Sequence, residues 1–181
     1  MVLEIKKAVK CLDNGGIIIY PSDTLWAIGC DATNQSSIDK IYKIKKRNKS
    51  MPFICLMNNY KMVEKYTNIN QSTRDIINSQ KGPTTVIYDK VKNLETFSKS
   101  IGIRIPSDIF CQNLLNAFDK PIISTSVNIS GDSYPFYFKE INKVILDQVD
   151  YHVNLYLDKK LDKASRIIKI REDNSIKTIR S

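Results

Sequence analysis

The chain has 181 residues, 42% hydrophobic and 26% charged, a balance that excludes a disordered chain and suits a single domain over residues 1–181. Its 28 lysines and arginines exceed 19 acids for a net charge of +9, which favours anionic partners such as nucleotide phosphates, RNA or a membrane surface, or serves solubility alone. Cys11, Cys30, Cys55, Cys111 and the single histidine, His152, form no CxxC pair and no cluster with zinc spacing, so the expected metal site is none and the thiols read as buried and free in a reducing compartment.

The N-terminus is charged. It has neither the apolar core of a signal peptide nor a membrane span, so the expected location is cytoplasmic, with no membrane partner. From Glu4 to Asn14, Ile5, Ala8, Val9 and Leu12 recur at helical spacing, and Gly15-Gly16 stops the pattern. Ile17 to Tyr20 reads as a buried strand ended by Pro21. Ser36 to Lys46 is a second helix, capped by Ser36 or Ser37, with Ile38, Ile41 and Ile44 on one face. Pro52 to Met57 is a strand, Asn59 to Tyr66 and Ser72 to Gln80 are helices, and Thr84 to Tyr88 is a β-branched strand after Gly82-Pro83. Ile101 to Ile105 is a strand carrying Arg104. Asp108 caps a helix to Phe118, and Pro121 to Thr125 returns as a strand. A helix over Phe138 to Leu146 and strands near His152–Leu157, Arg166–Ile170 and Ser175–Ile179 complete the chain, the last twenty or so residues forming a basic β-like tail. Interleaved helices and strands predict a mixed α/β domain with a sheet as its spine.

Chemistry concentrates in three places. Pro121 to Gly131 reads PIISTSVNISG: an apolar strand ends in Ser124, Thr125, Ser126, Asn128 and Ser130, groups that are costly to bury unpaired. They either face a ligand or satisfy a turn of their own backbone. Lys40 to Lys49 carries Lys40, Lys43, Lys45, Lys46, Arg47 and Lys49 with no acid, a solvated basic face or a phosphate clamp. Tyr20-Pro21-Ser22-Asp23-Thr24 sets polar side chains at a strand end, to touch a ligand or to cap the next element. There is no GxxxxGK[ST] loop and no GxGxxG after a strand. His152 sits in an alternating stretch and reads as structural, and no Ser/His/Asp or Cys/His arrangement is supportable.

In order, the segments IIIYPSDTLWAIGCDA, KIKKR, GPTTVI, IGIRIP and PIISTSVNISG resemble the YrdC-type threonylcarbamoyl-AMP synthases. The resemblance spans Tyr20 to Gly131 and continues more weakly to the C-terminus. It implies a YrdC-like twisted, open mixed sheet flanked by helices, with a large concave basic cavity. It also implies a nucleotidyltransferase that makes threonylcarbamoyl-AMP and pyrophosphate from L-threonine, bicarbonate and ATP with Mg2+, for modification of adenosine 37 in tRNA. Downstream threonylcarbamoyl-transfer proteins are implied partners, and tRNA or double-stranded RNA is a possible one. A non-catalytic RNA-binding member of the same fold is the alternative. By the resemblance, Lys45 and Arg47 act on the ATP phosphates, Ser124, Ser126, Asn128 and Ser165 contact the nucleotide, and Thr24, Thr85 and Arg104 serve threonine. The chain departs from the family pattern at Ser22, Met51, Val127 and Arg166, and at Trp26-Ala27, where Tyr-Gly is usual; Trp26 is expected to add bulk beside the threonine pocket, and Ala27 to remove a special backbone angle.

Overall fold

A run as apolar as Ile17 to Tyr20 has no face to show to water, so its strand needs cover on both sides. The computed structural model, which describes residues 1–97, 100–171 and 173–181, supplies that cover. In chain order its elements are α1 (Val2–Asp13), β1 (Ile18–Pro21), β2 (Trp26–Gly29), α2 (Gln35–Ile44), β3 (Ile54–Leu56), α3 (Tyr60–Tyr66), α4 (Gln71–Asn78), β4 (Thr84–Tyr88), β5 (Ile101–Arg104) and α5 (Ile109–Phe118). There follow β6 (Ile122–Ser126), a 3-10 turn (Phe138–Glu140), α6 (Lys143–Leu146), β7 (Tyr151–His152), β8 (Arg166–Ile170) and β9 (Ile176–Arg180). The strands form one mixed, open sheet in the order β7-β1-β2-β6-β3-β5-β4-β8-β9. β1/β7, β3/β5 and β4/β8 pair in parallel; the remaining neighbours are antiparallel.

Strand periodicity sorts the core into two layers. Ile18, Tyr20, Ala27, Leu56 and Ile122 face α1 and α5, meeting Ile5, Ala8, Leu12, Phe110, Leu114 and Leu115. Ile17, Ile19, Trp26, Ile28, Cys55 and Ile123 face the other way, toward Ile38, Ile41 and Ile44 of α2, Met62 and Val63 of α3, and Ile145 of α6. Between β2 and β6 the chains approach so closely that a Cβ on Gly29 would stand 2.1 Å from the Ile123 carbonyl oxygen.

Four local expectations are corrected. The α2 cap is Asn34, whose side chain accepts from the Ser37 backbone N–H; the Ser37 hydroxyl instead donates to the Gly15 carbonyl at 2.7 Å. Trp26 to Gly29 is a strand of its own, concealed in the sequence by the polar turn before it. Phe138 to Leu146 is not one helix: the Asn142 side chain accepts from Val144 N–H at 2.8 Å and starts a new turn. The strand near His152–Leu157 ends at His152, because the Asn154 N–H turns to Glu4 Oε2 at 2.6 Å and Tyr156 takes a left-handed backbone with φ of 57°.

Candidate active site

On the α1/α5 side of the sheet the apolar surface stops partway along the strands. Ile122, Ser124 and Ser126 of β6 are two apart and share that side. Ile122 lies beneath the helices, and the two serines open into a cavity of ≈ 200 Å³. Thr24, Leu25 and Ala27 from the β1–β2 turn and β2 line it, with Arg47, Pro52, Phe53 and Ile54 after α2. Arg104 at the end of β5, Ala164, Ser165 and Ile167 at β8, and Arg180 at the end of β9 complete the wall.

The β1–β2 turn is built by Ser22. Its buried hydroxyl accepts from Thr24 N–H (3.1 Å) and Leu25 N–H (3.2 Å) and lies 2.8 Å from both the Leu25 carbonyl and the Thr24 hydroxyl. This satisfaction of the turn leaves Thr24 fixed toward the cavity and sends Asp23 behind it. The Asp23 carboxylate pairs with the Arg104 guanidinium at 3.1 Å, both side chains being 5% exposed. Burial raises the Asp23 carboxyl above its usual range, and the Arg104 charge opposes that rise.

The Lys-x-Arg segment gets its geometry from a helix stop. Arg47 N–H donates to the Tyr42 carbonyl (3.0 Å) and Lys46 N–H to the Lys43 carbonyl (3.0 Å), the paired bonds of a Schellman closure with Lys46 at the left-handed position, φ 49°. The reversal separates three consecutive cations: Lys45 points into the protein, Lys46 to solvent and Arg47 to the cavity wall. Arg47 donates from Nε to the Met51 carbonyl (3.0 Å) and from Nη2 to the Pro52 carbonyl (3.2 Å), and stacks over Phe53 at 5.1 Å. A side chain other than glycine costs about 1 kcal/mol at such a left-handed position. Lys46→Gly is therefore expected to raise unfolding stability by up to about 1 kcal/mol in denaturant titration, with Arg47 undisturbed.

Lys45 is 2% exposed. Its ammonium donates to the carbonyl of Ser126, to the carbonyl of Asn128 at 2.6 Å, and to Asn128 Oδ1 at 3.4 Å. Burial lowers this amine to about 7, and the nearby Arg47 charge adds to the effect. The same loop is tied further by Ser126 Oγ on Asn128 Oδ1 (2.5 Å), by Asn128 Nδ2 on the carbonyls of Ile129 (2.9 Å) and Asp132 (2.7 Å), and by Ser130 N–H on the Lys45 carbonyl (2.8 Å). Gly131, at φ 98°, completes the turn where nothing crowds it.

The far wall is a relay of side chains. Thr85, fully buried, shares a hydrogen bond with the Ser165 hydroxyl at 2.9 Å. Arg180 donates to the Ser165 carbonyl from Nε (3.0 Å) and Nη2 (2.8 Å), and from Nη2 to the Ser165 hydroxyl (3.2 Å). Burial lowers the Arg180 guanidinium, and the positive Arg104 across the cavity contributes.

Of the residues singled out from the sequence, Thr24, Arg47, Arg104, Ser124, Ser126 and Ser165 line one cavity. Lys45, Thr85 and Asn128 stand behind its wall and hold it. Arg180 and Asp23 were missed. Arg180 lies in a strand exposed along its whole length, so only the β8–β9 pairing, which brings its guanidinium to Ser165, reveals it. Asp23 sits inside a quoted motif, yet its partner is 81 residues away in the chain. The expectation for Trp26 is overturned: its ring is fully buried on the opposite side of β2, edge-on to Phe138 at 5.3 Å, and Ala27 alone faces the cavity. Ala27 has no left-handed backbone, so the missing glycine deprives the strand of nothing.

Three arginines and several hydroxyls converge in this lining, with no carboxylate, histidine or cysteine among them. His152 lies elsewhere, packed on Phe138 and Tyr151. Such a site holds and orients anions; it offers no side chain for general acid–base work at neutral pH.

The family model for Sua5, YciO and YrdC proteins, described as telomere recombination, matches residues 10–181. A Methanocaldococcus jannaschii protein is 37% identical over 178 residues, covering 97% of this chain and 83% of its own. The threonylcarbamoyl-AMP synthase of Pseudoalteromonas translucida is 28% identical over 158 residues, 83% of this chain and 84% of its own. Among solved structures, Escherichia coli YciO superposes with a TM-score of 0.83 at 25% identity, covering 98% of this chain and 88% of that one. Pyrococcus abyssi Sua5, solved with L-threonine, superposes with a TM-score of 0.78 at 16% identity over 91% of this chain, which spans only 50% of that longer protein.

Proposed function

We propose a function from an established premise: the chain belongs to the Sua5/YciO/YrdC family. The protein is a threonylcarbamoyl-AMP synthase, a nucleotidyltransferase that joins L-threonine, bicarbonate or carbon dioxide, and ATP into threonylcarbamoyl-AMP with release of pyrophosphate. The product serves modification of adenosine 37 in tRNA through downstream transfer proteins, in the cytoplasm. Among the described residues no helix is long and apolar enough to cross a membrane.

The observation that carries this reading is the acid-free lining with Arg47, Arg104 and Arg180 converging on one space. The neutral threonine amine captures carbon dioxide, forming the N–C bond and releasing a proton to solvent, to give a carbamate. A carbamate oxygen attacks the α-phosphorus, the bond to the bridging oxygen breaks, and pyrophosphate leaves. The nucleophile is already anionic and needs no strong base. The enzyme's task is to bring two anions together and stabilise the charge on the phosphates, which suits arginine forks and hydroxyls. Arg47 and Arg180 serve the phosphates, Ser124, Ser126 and Ser165 orient the nucleotide, and Arg104 and Thr24 receive threonine. Lys45, Asn128 and Thr85 keep these groups in place. The lining offers hydroxyl oxygens but no carboxylate, and the described residues contain no group of three metal-ligating side chains. A resident magnesium does not fit such a donor set, so magnesium enters as the counter-ion of ATP.

The test is pyrophosphate release from ATP with magnesium and bicarbonate. Release should depend on L-threonine, and release that ignores threonine would reject the proposal.

A further inference from the structure

Arg104 is held in a way that the reaction scheme does not explain. Its Nη2 lies 3.1 Å from Asp23 Oδ1 as a charge pairing and not a hydrogen bond, for that oxygen and the Arg104 Nε are both buried with no hydrogen-bond partner among the described residues. Asp23 is thus the anchor of this guanidinium. The other Asp23 oxygen reaches only the Ser107 N–H, at 3.4 Å.

The pair also stands between two cavities. Arg104 lines the ≈ 200 Å³ cavity of the proposed active site. Asp23 lines a second one of ≈ 500 Å³, bounded by Asn58, Tyr60, Asn78, Thr84 and Ser107 and holding no cationic side chain. An untethered Arg104 would have space behind it to swing into, away from the substrate side. Asp108, the cap of α5, lies close enough to act on Asp23 and has one buried carboxylate oxygen without a partner among the described residues, so a second anionic acceptor stands near the pair.

Asp23 itself cannot drift. Ser22 locks the turn from one side, and Thr24, the next residue, faces the cavity. One ion pair therefore couples the turn that presents Thr24 to the strand that presents Arg104.

We propose that Asp23 is the positioning residue for amino-acid recognition: its carboxylate pins the Arg104 guanidinium at the cavity wall, at a fixed spacing from Thr24, to receive a substrate α-carboxylate. This rests on the synthase reading given above. Asp23 does not line the arginine-lined cavity and reaches it only through Arg104, so its loss should act on threonine alone.

The experiment measures KM for threonine and for ATP in wild type, Asp23→Asn and Asp23→Glu, by pyrophosphate release. Asp23→Asn keeps shape and loses charge. Its threonine KM should rise about tenfold or more, with the ATP KM within about threefold of wild type. Asp23→Glu restores the charge one methylene too far out and should fall between the two, with the ATP KM again unchanged. Should the Asn variant not fold, the Glu variant carries the test by the same split. An unchanged threonine KM, or threonine and ATP KM rising together as a merely structural defect would cause, overturns the assignment. Wild type without threonine dependence overturns the synthase reading instead, which separates the two failures.

Discussion

Arg47→Ala is expected to lower threonine-dependent pyrophosphate release by about two to three orders of magnitude, the usual cost of removing one preorganised charge donor from a transition state. The thermal midpoint should move little, because Arg47 holds only the carbonyls of the exposed Met51 and Pro52 and lies over the face of Phe53. Its position depends on the Schellman reversal, which delivers the guanidinium to the cavity while its neighbours point elsewhere. Lysine at this position should not restore the rate, since a point charge lacks the planar fork. A net charge of +9 also predicts salt-sensitive RNA binding. That affinity should fall only modestly in Arg47→Ala; equal loss of RNA binding and turnover would favour the non-catalytic alternative.

Lys45→Met should act through the fold. The methylenes are replaced, but the half-buried Asn128 carbonyl loses its donor and the Ser126 carbonyl keeps only the Asn128 N–H at 3.0 Å, at a cost of about 1–3 kcal/mol. The loop that carries Ser126 and Asn128 then loosens, and turnover falls with it. The pH dependence identifies the cause. The amine lies at about 7 in the folded protein against 10.5 ordinarily, so above pH 7 the unfolded chain holds more protons and stability rises with pH. Below about pH 7 the amine is protonated in both states and contributes no slope. The buried thiols of Cys30, Cys55 and Cys111 are raised by burial, so they act in the opposite sense once unfolded thiols ionise. The readable window is therefore about pH 7 to 8.5. Across it the wild type should gain up to about 2 kcal/mol over Lys45→Met, by denaturant titration at each pH. Parallel curves for the two proteins would mean that Lys45 keeps its full charge.

Much of this was legible in the sequence where one signal acted alone. Asp108 caps α5, and Thr84–Tyr88 and Arg166–Ile170 are strands as their β-branched runs predict. Signals that competed were misread. Asn34 and Ser36 both cap well, and only the pull of Gly15 on Ser37 decides between them. Trp26 follows the polar Ser22-Asp23-Thr24, and its orientation depends on the pleat of a strand not visible before the β2–β6 pairing. Lys45, Lys46 and Arg47 look alike as a basic run, yet one left-handed residue gives them three destinations. Arg180 required a long-range pairing of an exposed strand, and no local pattern marks it.

The most direct measurement is the mass of the product made from ATP, carbon-13 bicarbonate and L-threonine. An adenylate carrying both threonine and one labelled carbon, absent when threonine is left out, is expected. ADP and phosphate alone, or a threonine adenylate without the label, would contradict the assignment of the arginine-lined cavity to carbamate transfer onto AMP.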